Sequence, residues 1–346
     1  MEMILNKLVS GDRLERDESR RLFGAAINGE LSDVEIAASL VALKMRGETA
    51  EEVAGAAQAL AVGAREFPRP EYLFADIVGT GGDGAHTINI STAASFIAAE
   101  AGLPVAKHGN RSISSRCGAA DLLESFGVKL DMPPVTARLA LDEAKVTFLF
   151  APYYHGGMKH VMPIRKALAT RTMFNILGPL INPARPQIYL IGVYDFKFCE
   201  FVAETLSMLG AERALVVHGL GLDEIAVHGA TNVAELRDGK IAMRRITPAD
   251  FGVREFPLSS IVGGTPEENR VSITSVLAGR GSDAHNAAVA VNAGALLTVS
   301  GRAGSFKEGF AMAMSILESG KAMERLERLV RISNQELGER EADACA

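Results

Sequence analysis

The stretch Ala75–Gly109, "ADIVGTGGDGAHTINISTAASFIAAEAGLPVAKHG", decides the fold. A short apolar run, "ADIVGT", meets a glycine-rich loop. The amphipathic run "TAASFIAAEAG" follows, and a second short apolar run, "LPVAKH", closes the unit. Strand, loop, helix and strand in this order form a βαβ unit, and the rhythm continues downstream. "TFLFAP", "IYLIGVY" and "RALVVHG" read as further strands. "ADLLESFG", "PPVTARLALDEA", "KHVMPIRKALA" and "FKFCEFVAETLSMLG" read as the helices between them. Such alternation predicts an α/β fold with a predominantly parallel central sheet flanked by helices. Ligands of such sheets bind beyond the carboxyl ends of the strands.

On either side of this region the pattern changes. The first seventy residues read as helices joined by tight turns. "SDVE" (Ser32–Glu35) and "TAEE" (Thr49–Glu52) fit the capping box, and Gly29 and Gly47 stand where helices stop. Two prolines in "EFPRPEY" place a boundary near residue 70. Downstream, "VAELRDGKIAMRRI" reads as a hairpin turning at Asp238-Gly239. The runs "SDAHNAAVAVNAGALLTVSG" and "FKEGFAMAMSILESGKAMERLERLVRIS" are helical again. No internal repeat is visible.

With 346 residues and 48% apolar content, the chain is long enough for two domains. Its net charge of −6 is spread without blocks, which argues against a duplex-binding surface but not against a small anionic ligand. Cys117, Cys199 and Cys345 lie far apart with no CxxC pair, so neither a disulfide framework nor a zinc site is readable. Reduced thiols in the cytoplasm are the expectation. "MEMILNKLVSGDRLERDESRR" carries no evident signal peptide, and no uncharged apolar run approaches a membrane span.

The glycine loop Gly79-Thr80-Gly81-Gly82-Asp83-Gly84 satisfies GxGxxG. A dinucleotide fingerprint would open straight into a helix, whereas "AHTINI" intervenes here. The strand "LPVAKHG" ends in Lys107 and His108 rather than in a ribose-gripping acid. No GK[ST] follows, so a Walker loop is excluded too. Asn89, Ser91 and Thr92 of "NIST" precede an apolar run and so sit at a helix start, where free amides attract anions. Ser91 alone would read as an ordinary N-cap; beside a glycine loop it points to phosphate.

A second donor-rich loop, "KHGNRSISSRCGAADLLE", follows the next strand. Lys107, His108 and Arg111 bring cationic or polar groups, Asn110, Ser112, Ser114 and Ser115 bring donors, and a helix begins near Ala119. In "VVHGLGLDEIAVHG" the neighbours Asp223 and Glu224 follow a strand and a Gly-rich turn. Paired surface acids are usually just solvated, but magnesium is held by one or two carboxylates together with substrate phosphates. The three segments together point to a phosphorylated sugar with magnesium. Asp83 orients the sugar, a metal-bound water or its own loop; the sequence leaves the three open.

"GTGGDG", "NIST", "KHGNRSISSRCGAADLLE", "RTMFNILGPLINPA" and "GLDE", in this order, resemble the anthranilate phosphoribosyltransferases, and the resemblance runs almost end to end. It implies transfer of the phosphoribosyl group of phosphoribosyl pyrophosphate to the amine of anthranilate, a step of tryptophan biosynthesis. It further implies two magnesium ions per site and a homodimer formed through a small helical domain. That domain would span residues 1–70, completed by a segment around 165–185, with an α/β domain over 71–346.

The family's pyrophosphate and ribose-phosphate positions correspond to Gly79, Gly82, Asp83, Thr87, Asn89, Ile90, Ser91 and Thr92. They continue at Lys107, His108, Gly109, Asn110, Arg111, Ser112, Ile113, Ser114, Ser115 and Ala119. Its magnesium positions fall on Ser91, Asp223 and Glu224. Its anthranilate contacts fall on Gly79, Asn110 and Arg165, with His108 lining the same region. Taken alone, Arg165 would be a solvated helix residue; a guanidinium, however, matches a carboxylate bidentately.

The family often reads His-Pro-Ala where this chain has His155-Gly156-Gly157, a change expected to loosen the turn on the acceptor side. No Ser/His/Asp or Cys/His catalytic set is visible, in keeping with an aromatic amine that is already unprotonated near neutral pH. A pyrimidine nucleoside phosphorylase of the same architecture is the first alternative. A non-catalytic nucleic-acid-binding relative is the second, and a dinucleotide-dependent oxidoreductase a distant third.

Overall fold

The computed structural model describes residues 1–112 and 116–335. Four helices open the chain: α1 (Glu2–Val9), α2 (Arg16–Asn28), α3 (Asp33–Arg46) and α4 (Ala50–Val62). Both expected capping boxes form, Ser32 with Glu35 and Thr49 with Glu52, and Gly29 and Gly47 close α2 and α3 at φ 76° and 89°. A further box, Glu15 with Glu18, opens α2. Glu52 is fully buried; it accepts from Leu14 N at 2.7 Å and pairs with Arg46, so its charge is not left bare.

The βαβ rhythm follows as β1 (Ala75–Gly79), α5 (Ile90–Glu100), β2 (Val105–Gly109), α6 (Ala119–Ser125), α7 (Pro134–Glu143) and β3 (Val146–Phe150). A helical excursion comes next, with α8 (Ala151–Tyr154), a 3-10 turn at Gly156–His160, α9 (Met162–Leu168) and α10 (Phe174–Leu177). The chain re-enters the sheet as β4 (Ile188–Gly192), α11 (Phe198–Met208), β5 (Arg213–His218), β6 (Thr231–Arg237) and β7 (Lys240–Ile246). Four helices complete it: α12 (Pro266–Leu277), α13 (Asp283–Ser300), α14 (Phe306–Ser319) and α15 (Ala322–Ser333). The sequence reading had not anticipated α12, although Thr265 and Glu268 form a capping box in front of it.

One seven-stranded sheet runs in the order β3-β2-β1-β4-β5-β6-β7. From β3 to β5 every pairing is parallel; β6 and β7 add an antiparallel ribbon. Asp238 (φ 52°) and Gly239 (φ 71°) make the expected hairpin turn, both in the left-handed region that a two-residue turn of this hand requires. The chain leaves β1 toward β2 and β3, then returns to the other side of β1 as β4. That reversal opens a crevice at the carboxyl ends of β1 and β4.

Strand side chains divide by their period of two between two apolar layers. Ile188, Leu190, Leu215 and Val217 face the layer containing α5 and α13. Tyr189, Ile191, Ala214 and Val216 face a layer shared with Leu22, Leu40, Val53, Ile164 and Phe174. Among the opening helices, α4 packs on α11, which itself lies on β5 and β6, while α3 meets α9 and α4 meets α10. Among the described residues, no helix is long and apolar enough to cross a membrane.

Candidate functional site

All described positions singled out from the sequence line one cleft of about 730 Å³. Gly82, Lys107, Arg165 and Glu224, from four separate segments, share it. Ile113, Ser114, Ser115 and Cys345 lie outside the described residues.

The glycine loop forms the floor. Gly81, Gly82 and Gly84 have φ of 69°, 80° and 74°, which only glycine adopts without strain. Gly79 is glycine for a different reason: a Cβ there would stand 2.2 Å from Asp223 Oδ2. Gly81 N donates to that same carboxylate oxygen at 2.6 Å. The Asp83 carboxylate accepts from Ala85 N at 3.1 Å and lies against Asp223. Asp83 thus belongs to a carboxylate group spanning two loops.

Helix α5 begins two residues earlier than an N-capping Ser91 would require. Asn89 is the N-cap, and Ser91 lies inside the first turn. Ser91 N donates to Glu224 Oε1 at 3.1 Å, while Ser91 Oγ accepts from Lys107 Nζ at 3.1 Å. Lys107 is buried on β2 and donates also to Ile77 O. Burial drives its pKa down, opposed by the charges of Asp76 and Glu224. Thr92 Oγ1 and His108 Nε2 are buried without a hydrogen-bond partner among the described residues.

In the second loop, Arg111 is turned onto α6, where it meets Asp121 at 3.0 Å and Glu124 at 2.7 Å. These bonds raise its pKa. Asp121 also accepts from Ser112 N at 3.1 Å and Gly118 N at 2.9 Å, closing the loop onto the start of α6 at Ala119. Asn110 is exposed, and its Oδ1 accepts from Arg111 N at 2.7 Å.

Asp223 and Glu224 follow β5 after the turn at residues 219–222. Burial, then the charge of Asp83, pushes Asp223 above the usual carboxylate range. Burial, then the charge of Asp223, does the same to Glu224, with Lys107 opposing. Among the described residues, no group of three or more His, Cys, Asp or Glu is arranged to hold a metal unaided. Two crowded carboxylates beside a serine hydroxyl instead suit a hard cation that takes its remaining oxygens from elsewhere.

Across the cleft, the Arg165 guanidinium lies 5.1 Å from the Phe174 ring centroid. The His108 and His155 rings meet edge to face at 5.2 Å, and His108 Nδ1 lies 3.1 Å from Gly178 O. In the His155-Gly156-Gly157 turn a Cβ at Gly156 would meet nothing within 4 Å, whereas Gly157 has a close neighbour. Gly157 is wedged against α2, where a Cβ would stand 2.8 Å from Ile27 O.

The sequence reading missed Arg171. It donates to Gly82 O at 2.6 Å and stacks 4.0 Å over Tyr194. It opens the motif "RTMFNILGPLINPA", in which nothing marks an arginine that reaches across to the glycine loop. Asn182 was missed too; it holds the buried Asp76 at 2.8 Å and Ala106 O at 2.8 Å beneath the site.

Residues 71–323 match a family model described as glycosyl transferase family, a/b domain. Residues 2–62 match one described as glycosyl transferase family, helical bundle domain. Anthranilate phosphoribosyltransferase of Aeromonas hydrophila is 54% identical over 338 residues, covering 98% of this chain and 99% of that one. Its Vibrio parahaemolyticus counterpart is 54% identical, covering 95% and 99%. The crystal structure of anthranilate phosphoribosyltransferase from Thermus thermophilus superposes with a TM-score of 0.92 at 42% identity, covering 96% of this chain and 99% of that one. The Saccharomyces cerevisiae enzyme, solved in complex with phosphoribosyl pyrophosphate and magnesium, gives 0.87 at 28%, covering 96% and 97%. With its fold, its cleft and its full-length likeness in agreement, this chain belongs to the anthranilate phosphoribosyltransferase family.

Proposed function

We infer that the protein transfers the phosphoribosyl group of phosphoribosyl pyrophosphate to the amine of anthranilate, releasing pyrophosphate and serving tryptophan biosynthesis. One observation carries the reading: the glycine loop, the Lys107 loop and the Asp223-Glu224 pair converge on a single cleft at the sheet's switch point. A doubly phosphorylated pentose needs such separated donor groups.

The donor side comprises Gly79, Gly82, Asp83, Thr87, Asn89 to Thr92, Lys107 to Ser115 and Ala119. Loop amides and the hydroxyls of Ser91 and Thr92 hold the phosphates. Lys107 has three N–H donors; two are engaged by Ile77 O and Ser91 Oγ, which leaves one for an anion. Gly79, Asn110, Arg165 and His108 form the acceptor side, where Arg165 meets the anthranilate carboxylate. Buried His108 is held neutral, its pKa lowered to about 3 by burial, so it lines the pocket without adding charge.

Ser91, Asp223 and Glu224 would hold magnesium, two ions per site. Bound there, the metal offsets negative charge on the departing pyrophosphate. The acceptor amine is neutral near pH 7, so the protein positions the reactants and stabilises the leaving group rather than abstracting a proton first.

Residues 1–70 with about 165–185 form the helical domain of this reading, and 71–346 the α/β domain. The helical part carries exposed Met3 and Val9 on α1, with Val34 and Met45 on α3, and in this reading it supplies the homodimer contact. A cytoplasmic location fits the reduced thiols of Cys117 and Cys199.

The test mixes the protein with anthranilate, phosphoribosyl pyrophosphate and magnesium and follows anthranilate fluorescence. Loss of fluorescence dependent on all three is expected. No change, or phosphorolysis of thymidine or uridine instead, would overturn the reading.

A further inference from the structure

Asn269 sits in the first turns of α12, remote in sequence from both donor loops, and does not itself line the cleft. It is 1% exposed, yet its side chain is committed on both ends. Its Oδ1 accepts from Gly264 N at 2.7 Å, and its Nδ2 donates to Asn89 Oδ1 at 2.8 Å. Asn89, the N-cap of α5, continues the relay by donating from Nδ2 to Cys117 O at 3.1 Å. Two side chains thus connect α12 to the first donor loop and the first donor loop to the second.

The backbone beside this relay is joined in the same sense. Ile88 N donates to Ile261 O at 3.0 Å, Gly263 N donates to His86 O at 2.7 Å, and Thr87 bridges Val262. At Gly263 a Cβ would stand 2.6 Å from Asn269 Oδ1 and 2.8 Å from Thr87 O, so only glycine permits this approach. Residues 261–269 form a bracket over residues 86–89.

We propose that Asn269 is a positioning residue for the phosphoribosyl donor, acting through Asn89 to set the spacing between the two donor loops. A ligand gripped at two phosphates is sensitive to that spacing, because displacement by about 1 Å is enough to cost binding geometry. The relay contains no charged group, and its polar atoms are satisfied within the protein, so its contribution is geometric.

The inference rests on the phosphoribosyl-transfer reading, and its test keeps the two apart. Asn269→Leu keeps similar volume and removes both links; Asn269→Ser is the smaller second variant. The KM for phosphoribosyl pyrophosphate is expected to rise about tenfold in each, with the KM for anthranilate within about twofold. In an Asn89→Ala background the same substitutions are expected to add a clearly smaller increase, because the Asn89 link is already gone and only the Gly264 link remains to be lost. Independent, multiplying effects would overturn the proposal. So would a lowered melting temperature with unchanged KM, or failure of both variants to fold, either of which assigns Asn269 a purely structural role. Calorimetric titration with pyrophosphate and magnesium separates the readings. No turnover by the unmodified protein removes the activity, whereas equal pyrophosphate affinity in the unmodified protein and Asn269→Leu removes the relay.

Discussion

Gly192 passes so close to Asp223 that a Cβ on the glycine would stand 1.6 Å from the aspartate's carbonyl oxygen. Gly79, its parallel neighbour in the sheet, approaches the same residue from β1. Asp223 is thus seated on two glycines, its backbone on Gly192 and its carboxylate on Gly79. Gly192→Ala and Gly79→Ala are expected to displace it and lower kcat/KM by at least about tenfold. Steady-state kinetics checks this; wild-type kinetics from either variant would show that the carboxylate's seat is dispensable.

Asp223 and Glu224 both hold protons more tightly than ordinary carboxyls because they are buried and face other acids. Metal binding must displace those protons, so apparent magnesium affinity should weaken as pH falls from 8 to 6. Asp223→Asn with Glu224→Gln should weaken it by about tenfold or more and flatten the pH dependence. Magnesium titrations at both pH values decide it. Unchanged curves would remove the pair from the metal site.

Arg165 and Arg171 flank the cleft and face different proposed ligands. Arg165→Ala should raise the KM for anthranilate about tenfold and that for phosphoribosyl pyrophosphate by no more than about twofold. Arg171→Ala releases Gly82 O and should show the opposite preference. Equal effects of either substitution on both constants would count against the division of the cleft into two sides.

His108 and His155 are buried, which lowers their pKa values to about 3 and about 4. Unfolded, each titrates near 6.5, so below about pH 6.5 the unfolded chain binds the extra protons. Their contribution is complete above that value and is lost as pH falls through about 4 and about 3. Asp76, raised to about 6 by burial, works in the opposite sense between about pH 4 and 6, so the comparison must be made by difference. His155→Gln should lose less melting temperature than the unmodified protein between pH 7 and 4.5. Parallel thermal-denaturation curves would contradict this.

The alternation of "ADIVGT", "LPVAKH", "TFLFAP", "IYLIGVY" and "RALVVHG" with amphipathic runs was enough to read the parallel strands, because burial on both faces gives a strand an unbroken apolar run. The order of those strands was not readable, since return of the chain beside β1 leaves no local mark. Composition identified the donor-rich loops but not the directions of their side chains. Arg111 reads as one of the loop's cationic groups, and in the structure Asp121 and Glu124 on the following helix hold it. Ser91 looked like an N-cap, but the helix starts at Ile90. Arg171 and Asn269 act on loops about 90 and 180 residues away along the chain, distances over which spacing carries no signal.

The contact between Gly157 and Ile27 has a mechanical result. With no room for even a methyl group between them, the turn bearing His155 is gauged by the last turn of α2. A side chain placed at Gly157 would have to push the His155 turn away from α2. Redesign of acceptor range in this protein therefore begins at Ile27, behind the wall that the acceptor would touch.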